Sequence, residues 1–137
     1  MTMEKFRMMH SLLIEHYQYI EHHLEGVYAL LCGKSFYEGL EEVETSNIKR
    51  LIQEIKRMER EKSVSIISAA DYEKLEDIRK RRNFWCHNCY IDMVVDVKTG
   101  NPKKVEFINK LIADMRDAEQ LRESLFQAKI TNMKILQ

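Results

Sequence analysis

From Phe6 onward the apolar side chains recur as Phe6, Met9, Leu13, Tyr17, Ile20, Leu24, Val27 and Leu31, in alternating steps of three and four. Such spacing returns to one face of a helix and predicts a long amphipathic first helix, with Gly33 as its stop. The stretch from Ser35 to Thr45 carries an acidic run and reads as a short turn or a loop. Ser46 or Asn47 can cap a second, shorter helix bearing Ile48, Leu51, Ile52, Ile55 and Met58, which the charged run from Glu59 to Lys62 closes. Ser68 with Asp71 three residues on resembles a capping box and opens a third helix expected to run to about Val95. The β-branched Val94, Val95 and Val97 also permit a brief strand before the turn at Thr99-Gly100-Asn101-Pro102. Asn101 as cap and Pro102 at the first helical position suit a fourth helix, whose face is Val105, Ile108, Leu111, Ile112, Met115, Ala118, Leu121 and Leu125, with a tail from Lys129 expected to fray. The pattern predicts one all-α domain over residues 1–137, an antiparallel bundle of four to five helices.

Composition supports that reading: the chain is 45% hydrophobic and 32% charged with four Gly and one Pro, too few turn formers for a β sandwich and too much apolar content for a disordered tail. Basic and acidic residues balance at 22 each, so no global field draws the chain to a polyanion, and any such site must be local. No apolar run approaches the roughly 18 residues of a membrane span. Three cysteines and no basic-then-apolar leader lead us to expect a protein of the reducing cytoplasm with no membrane partner. Glycine-rich phosphate loops, nucleophile elbows and paired catalytic carboxylate motifs are missing from the sequence.

The third helix carries the chemistry. At about 100° per residue, Leu75, Ile78, Trp85, Cys86, Cys89 and Met93 form one broad apolar face, with Phe84, Ile91 and Val95 roughly opposite. Lys74, Arg81, Asn88 and Asp92 form the narrow solvated stripe. A helix apolar around most of its girth belongs at a centre or a subunit interface. Within it, Arg82 needs a partner or a groove, because removing its charge from water is costly. Asn83 and His87 stand four apart, where the amide can orient the imidazole, and Tyr90 follows one turn on. On a straight helix Arg82 and His87 diverge by about 140°, so they converge only across a subunit groove or through local unwinding. The same residues also fit a plain structural account: a snorkelling Arg, a satisfied His–Asn pair and a solvated run from Arg79 to Arg82.

The run Arg82-Asn83-Phe84-Trp85-Cys86-His87, an Arg followed after four residues by His with a polar residue directly behind the Arg, resembles the hallmark motif of the HEPN superfamily of small, commonly dimeric all-helical domains. The resemblance implies metal-independent RNA cleavage, without a cofactor, in a cleft between two copies of the motif. His87 would then act as general acid or base, Arg82 would stabilise phosphoryl charge, and Asn83 would orient one or the other. Arg79, Lys80 and Tyr90 would add substrate contacts. Implied partners are RNA, a second copy joined through the third helix, and an antitoxin protein, in a toxin or phage-defence role. One departure bears on the antitoxin: Cys89 stands two residues after the motif His, where a tyrosine-modified toxin carries Tyr, and Tyr90 comes one later. A non-catalytic HEPN-like module binding RNA or protein is the alternative. Two further patterns compete. Cys86-x-x-Cys89 suggests zinc or redox chemistry but lacks a second cysteine pair. His10, His16, His22 and His23, interleaved with Glu15, Glu21 and Glu25, look metal-like but are the usual composition of a solvated helix face.

Overall fold

A computed structural model of the chain describes residues 1–136. Helix α1 spans Met3–Leu31, α2 Phe36–Val43, α3 Ile48–Lys62 and α4 Ala69–Asn83; a five-residue π turn, Phe84–Asn88, joins α4 to the short α5, Cys89–Asp92, and α6 covers Val105–Leu136. Caps set most of the starts. Thr2, Ser35, Asn47 and Ser68 each turn a side-chain oxygen onto a backbone N–H of the first turn, satisfying a donor that the helix itself leaves free.

The expected stripe of α1 is the spine of the core: Phe6, Leu13, Tyr17, Ile20, Leu24, Val27 and Leu31 are buried, and they meet Leu111, Ala118, Leu121 and Leu125 of α6 and Leu75, Ile78 and Trp85 of the third helical unit. Phe6 stacks on Phe107, Arg122 reaches His16 and Lys129 reaches His23, so α1 and α6 advance side by side in the same direction. Between α4 and α6 the pairs run oppositely, Asp71 with Ser124 and Arg81 with Asp114, and α4 is likewise antiparallel to α1. The extra reversal comes from α2, where Ser35 caps eight helical residues in the acidic stretch read as a turn or loop. There α2 lies hard against α1: a Cβ on Gly39 would stand 2.8 Å from the Ala29 Cα and 2.8 Å from the Cys32 Sγ.

Three helix bounds differ from expectation. The third helix unwinds at Phe84 and ends at Asp92, short of Val95, and a single antiparallel bridge, Val95 with Pro102, replaces both the helical continuation and a strand. Pro102 is buried in that bridge and Asn101 turns its side-chain oxygen to the Met3 N–H, so neither starts α6, which opens three residues later at Val105. The C-terminal stretch from Lys129 continues α6 rather than fraying. No helix of the described residues is long and apolar enough to cross a membrane.

Candidate functional site

The π turn is the feature around which the site is built. Its i→i+5 bonding widens the helix, so each residue of Phe84–Asn88 advances less than the α-helical angle, and the roughly 140° expected between Arg82 and His87 on a straight helix is reduced. The same widening breaks the i, i+4 stacking of Asn83 with His87: both are exposed, and no hydrogen bond joins them. His87 is exposed, as are its chain neighbours Cys86 and Asn88.

A buried anchor holds the turn in place. Trp85, fully buried, donates its indole N–H to Asp114 Oδ2 at 2.6 Å, and Arg81 bonds Asp114 Oδ1 at 2.5 Å. Arg81 also reaches Asp117 at 3.7 Å, so it spans α4 and α6 instead of lying in the solvated stripe. Aromatic packing continues through Phe84, Trp85, Phe107 and Phe6, and Lys110 sits 4.6 Å above the Phe84 ring.

His10 completes the turn from α1. Its Nε2 lies 2.6 Å from the Trp85 carbonyl oxygen, an acceptor only, so Nε2 carries the proton and Nδ1 accepts from the Tyr90 hydroxyl at 3.2 Å. The Cys89 thiol donates to the same carbonyl at 3.4 Å. A side chain set into a broken helical ladder is a recognised cause of such distortion. Tyr90 therefore serves His10, not His87.

Arg82 finds the partner its position demanded. Its guanidinium bonds Glu21 Oε1 at 2.6 Å, linking α4 to α1, with both side chains open in part to solvent. Burial pushes the Glu21 carboxyl above its usual range and Arg82 pulls against that shift. Tyr17, one turn before Glu21 on α1, is buried, and burial, with the Asp114 charge adding to it, drives its phenol well above the ordinary value. Among the described residues neither the Tyr17 hydroxyl nor the Arg82 Nε–H has a hydrogen-bond partner. Arg79 is paired to Glu76 within its own helix at 2.5 Å, while Lys80 is exposed.

The competing patterns separate in space. Cys86 is exposed and Cys89 buried, facing different surroundings across the π turn. Among the described residues no three His, Cys, Asp or Glu side chains converge as a metal cage requires. His16 receives Arg122 and His23 receives Lys129, and burial with the Lys129 charge holds His23 down to about 4.

Apolar side chains crowd the surface just beyond the turn: Ile91 is 80% exposed and Val97 fully so, with Val94 and Tyr90 beside them in sequence. Away from this region, a cavity of about 700 Å³ opens between α3 and α4, lined by Lys56, Arg60, Val64, Ile67 and Tyr72. Its wall is held by Glu59, whose carboxylate accepts the Ile66 and Ile67 N–H groups and the Tyr72 hydroxyl.

Comparison with family models, with curated proteins and with solved structures finds no match to this chain.

Proposed function

We propose that the chain is a metal-independent endoribonuclease of the HEPN type, acting as a toxin or phage-defence effector, with Arg82 and His87 as its reacting pair. One observation carries the reading: the π turn falls between these two residues and lessens the roughly 140° by which a regular helix would hold them apart. π turns of this kind recur at functional sites because they sacrifice regular bonding to re-aim side chains. The exposed His87 imidazole is open to an RNA substrate. As a neutral base it takes the proton of an RNA 2′-hydroxyl, whose oxygen then attacks the adjacent phosphorus. The bond from phosphorus to the 5′-oxygen breaks, an imidazolium returns a proton to that leaving oxygen, and the products are a 2′,3′-cyclic phosphate and a 5′-hydroxyl. Arg82 supplies charge to the phosphoryl oxygens.

The exposed Ile91, Val94 and Val97 support a dimer formed through the third helical unit, because an apolar strip of this kind is best covered by a second protein surface. Two motifs would then line one groove, with Lys80 and Lys110 near the substrate backbone. The Glu21–Arg82 pair favours a second reading, a non-catalytic module that binds RNA or protein through the same groove with its arginine serving structure. Alanine variants separate the two. His87→Ala and Arg82→Ala should each abolish RNA cleavage, or relieve growth arrest on expression, in a chain that keeps its helicity and oligomeric state. A fully active His87→Ala variant, or a wild type that binds RNA without cutting it, refutes the ribonuclease reading.

A further inference from the structure

Among the described residues two buried side-chain atoms have no hydrogen-bond partner, the Tyr17 hydroxyl and the Arg82 Nε–H; Tyr17 stands one turn before Glu21 on α1, and Glu21 pairs with Arg82 of α4. Buried polar groups are normally satisfied, so two orphans in one place mark a missing acceptor rather than chance. Both can donate, and an Nε–H can do nothing else. The Asp114 carboxylate binds Trp85 and Arg81 and neither of these two donors. Glu21 reaches only a terminal nitrogen of Arg82. Tyr17 and Glu21 stand four apart on α1 and so share one face.

We infer that Tyr17, Glu21 and Arg82 form a single phosphate-binding site with an internal occupant: an arriving phosphoryl group displaces the Glu21 carboxylate and takes the Arg82 guanidinium edge and the Tyr17 hydroxyl as its donors. With Glu21 swung out, Asp114 still balances Arg81 and Arg82 is left without a counter-charge, so the site calls for an anion. A tetrahedral phosphoryl group, with several oxygens aimed in different directions, can reach both orphans at once where the single Glu21 contact does not. Arg82 and Glu21 are 36% and 27% exposed in their side chains, so the ion enters where they meet solvent. This makes Tyr17 a further substrate-contacting residue and Glu21 a latch; the inference rests on the ribonuclease reading only in taking the phosphoryl group to be that of RNA.

The probe is inorganic phosphate, followed through the Arg82 Nε–H resonance by NMR. In the wild type that signal should shift saturably. Glu21→Gln, which removes the latch charge without changing shape, should tighten phosphate binding on the order of fivefold, the upper end for a partly exposed ion pair. Tyr17→Phe should weaken it about tenfold, as for loss of one hydrogen bond to a charged group. Tyr17→Phe should not lower the melting temperature, since it deletes an unpaired hydroxyl. An Arg82 signal indifferent to phosphate, or a Tyr17→Phe chain that binds phosphate as the wild type does, overturns the site. Cleavage that depends on His87 alongside either of those results leaves the ribonuclease reading standing without this site. A phosphate response as stated in a chain that never cuts RNA leaves the site standing and removes that reading.

Discussion

Replacing Asp114 tests the anchor beneath the π turn. Its carboxylate is 2% exposed and joins Trp85, Arg81 and hence α4 to α6 through bonds of 2.6 and 2.5 Å. Asp114→Ala leaves a fully buried indole N–H without an acceptor, which costs about 1–3 kcal/mol. It also strips Arg81 of its closest counter-ion. That loss falls short of the 3–5 kcal/mol typical of breaking a fully buried pair, because the Arg81 side chain is 31% exposed and keeps Asp117 at 3.7 Å. The two effects together give about 2–4 kcal/mol. Asp114→Asn keeps an acceptor for the indole and gives up only charge, so about half that loss is expected. In a domain of this size the alanine variant should melt roughly 8–15 °C below the wild type. Because the chain has a single tryptophan, its fluorescence reports the anchor directly and should change in the alanine variant even before unfolding. Thermal denaturation followed by circular dichroism and by that fluorescence gives both quantities. If Asp114→Ala melts within about 2 °C of the wild type, a shift worth under about 1 kcal/mol, the anchor does not hold the turn.

His10→Ala removes the imidazole donor from the Trp85 carbonyl, and should cost about 1 kcal/mol while raising amide exchange selectively over residues 85–90. Glu59→Ala strands the Ile66 and Ile67 N–H groups and the Tyr72 hydroxyl, and should lower stability by about 2–4 kcal/mol with unfolding midpoints in urea as the measure. His23, held neutral by burial and Lys129, has a folded value near 4 against an ordinary 6.5. The unfolded chain therefore binds a proton first, so stability is complete above pH 6.5 and declines as the pH falls towards 4. His16, lowered in the same sense, adds to that decline, and His23→Gln should flatten the slope of melting temperature against pH in this window.

Most of the fold was legible because it rests on periodicity. The α1 stripe from Phe6 to Leu31 and the α6 face through Leu111, Ala118, Leu121 and Leu125 are continuous enough that only a helix buries them together. Helix α2 was hidden because eight residues carry too little pattern to outweigh an acidic, glycine-containing stretch. The π turn was hidden for a different reason: the sequence 84–88 is compatible with a plain helix, and what widens it is tertiary, the His10 imidazole at the Trp85 carbonyl and the Asp114 carboxylate at the indole. Arg82 was readable as a charge in need of a partner, but not Glu21 as that partner, since a Glu on a mixed helix face looks solvated. A usable signal was present all the same. His10, Glu59 and Asp114 each stand directly beside the apolar stripe of their helix, next to Met9, Met58 and Met115 and three or four residues after the buried Phe6, Ile55 and Leu111. Each of the three turns out to bind backbone or side-chain groups of another element or loop. Polar residues that border a regular apolar stripe deserve to be read as interior contacts before they are read as surface.

The most direct test of the proposed chemistry is to incubate the purified chain with a labelled single-stranded RNA in excess chelator and to identify the new ends. Transfer of the 2′-oxygen to its own phosphate needs only the His87 proton relay and the Arg82 charge, so cleavage should proceed at an undiminished rate and leave 2′,3′-cyclic phosphate and 5′-hydroxyl ends, with His87→Ala reducing it by about 10²–10⁴-fold. Cleavage that stops in chelator and returns with a divalent ion, or that leaves 5′-phosphate ends, would contradict the account.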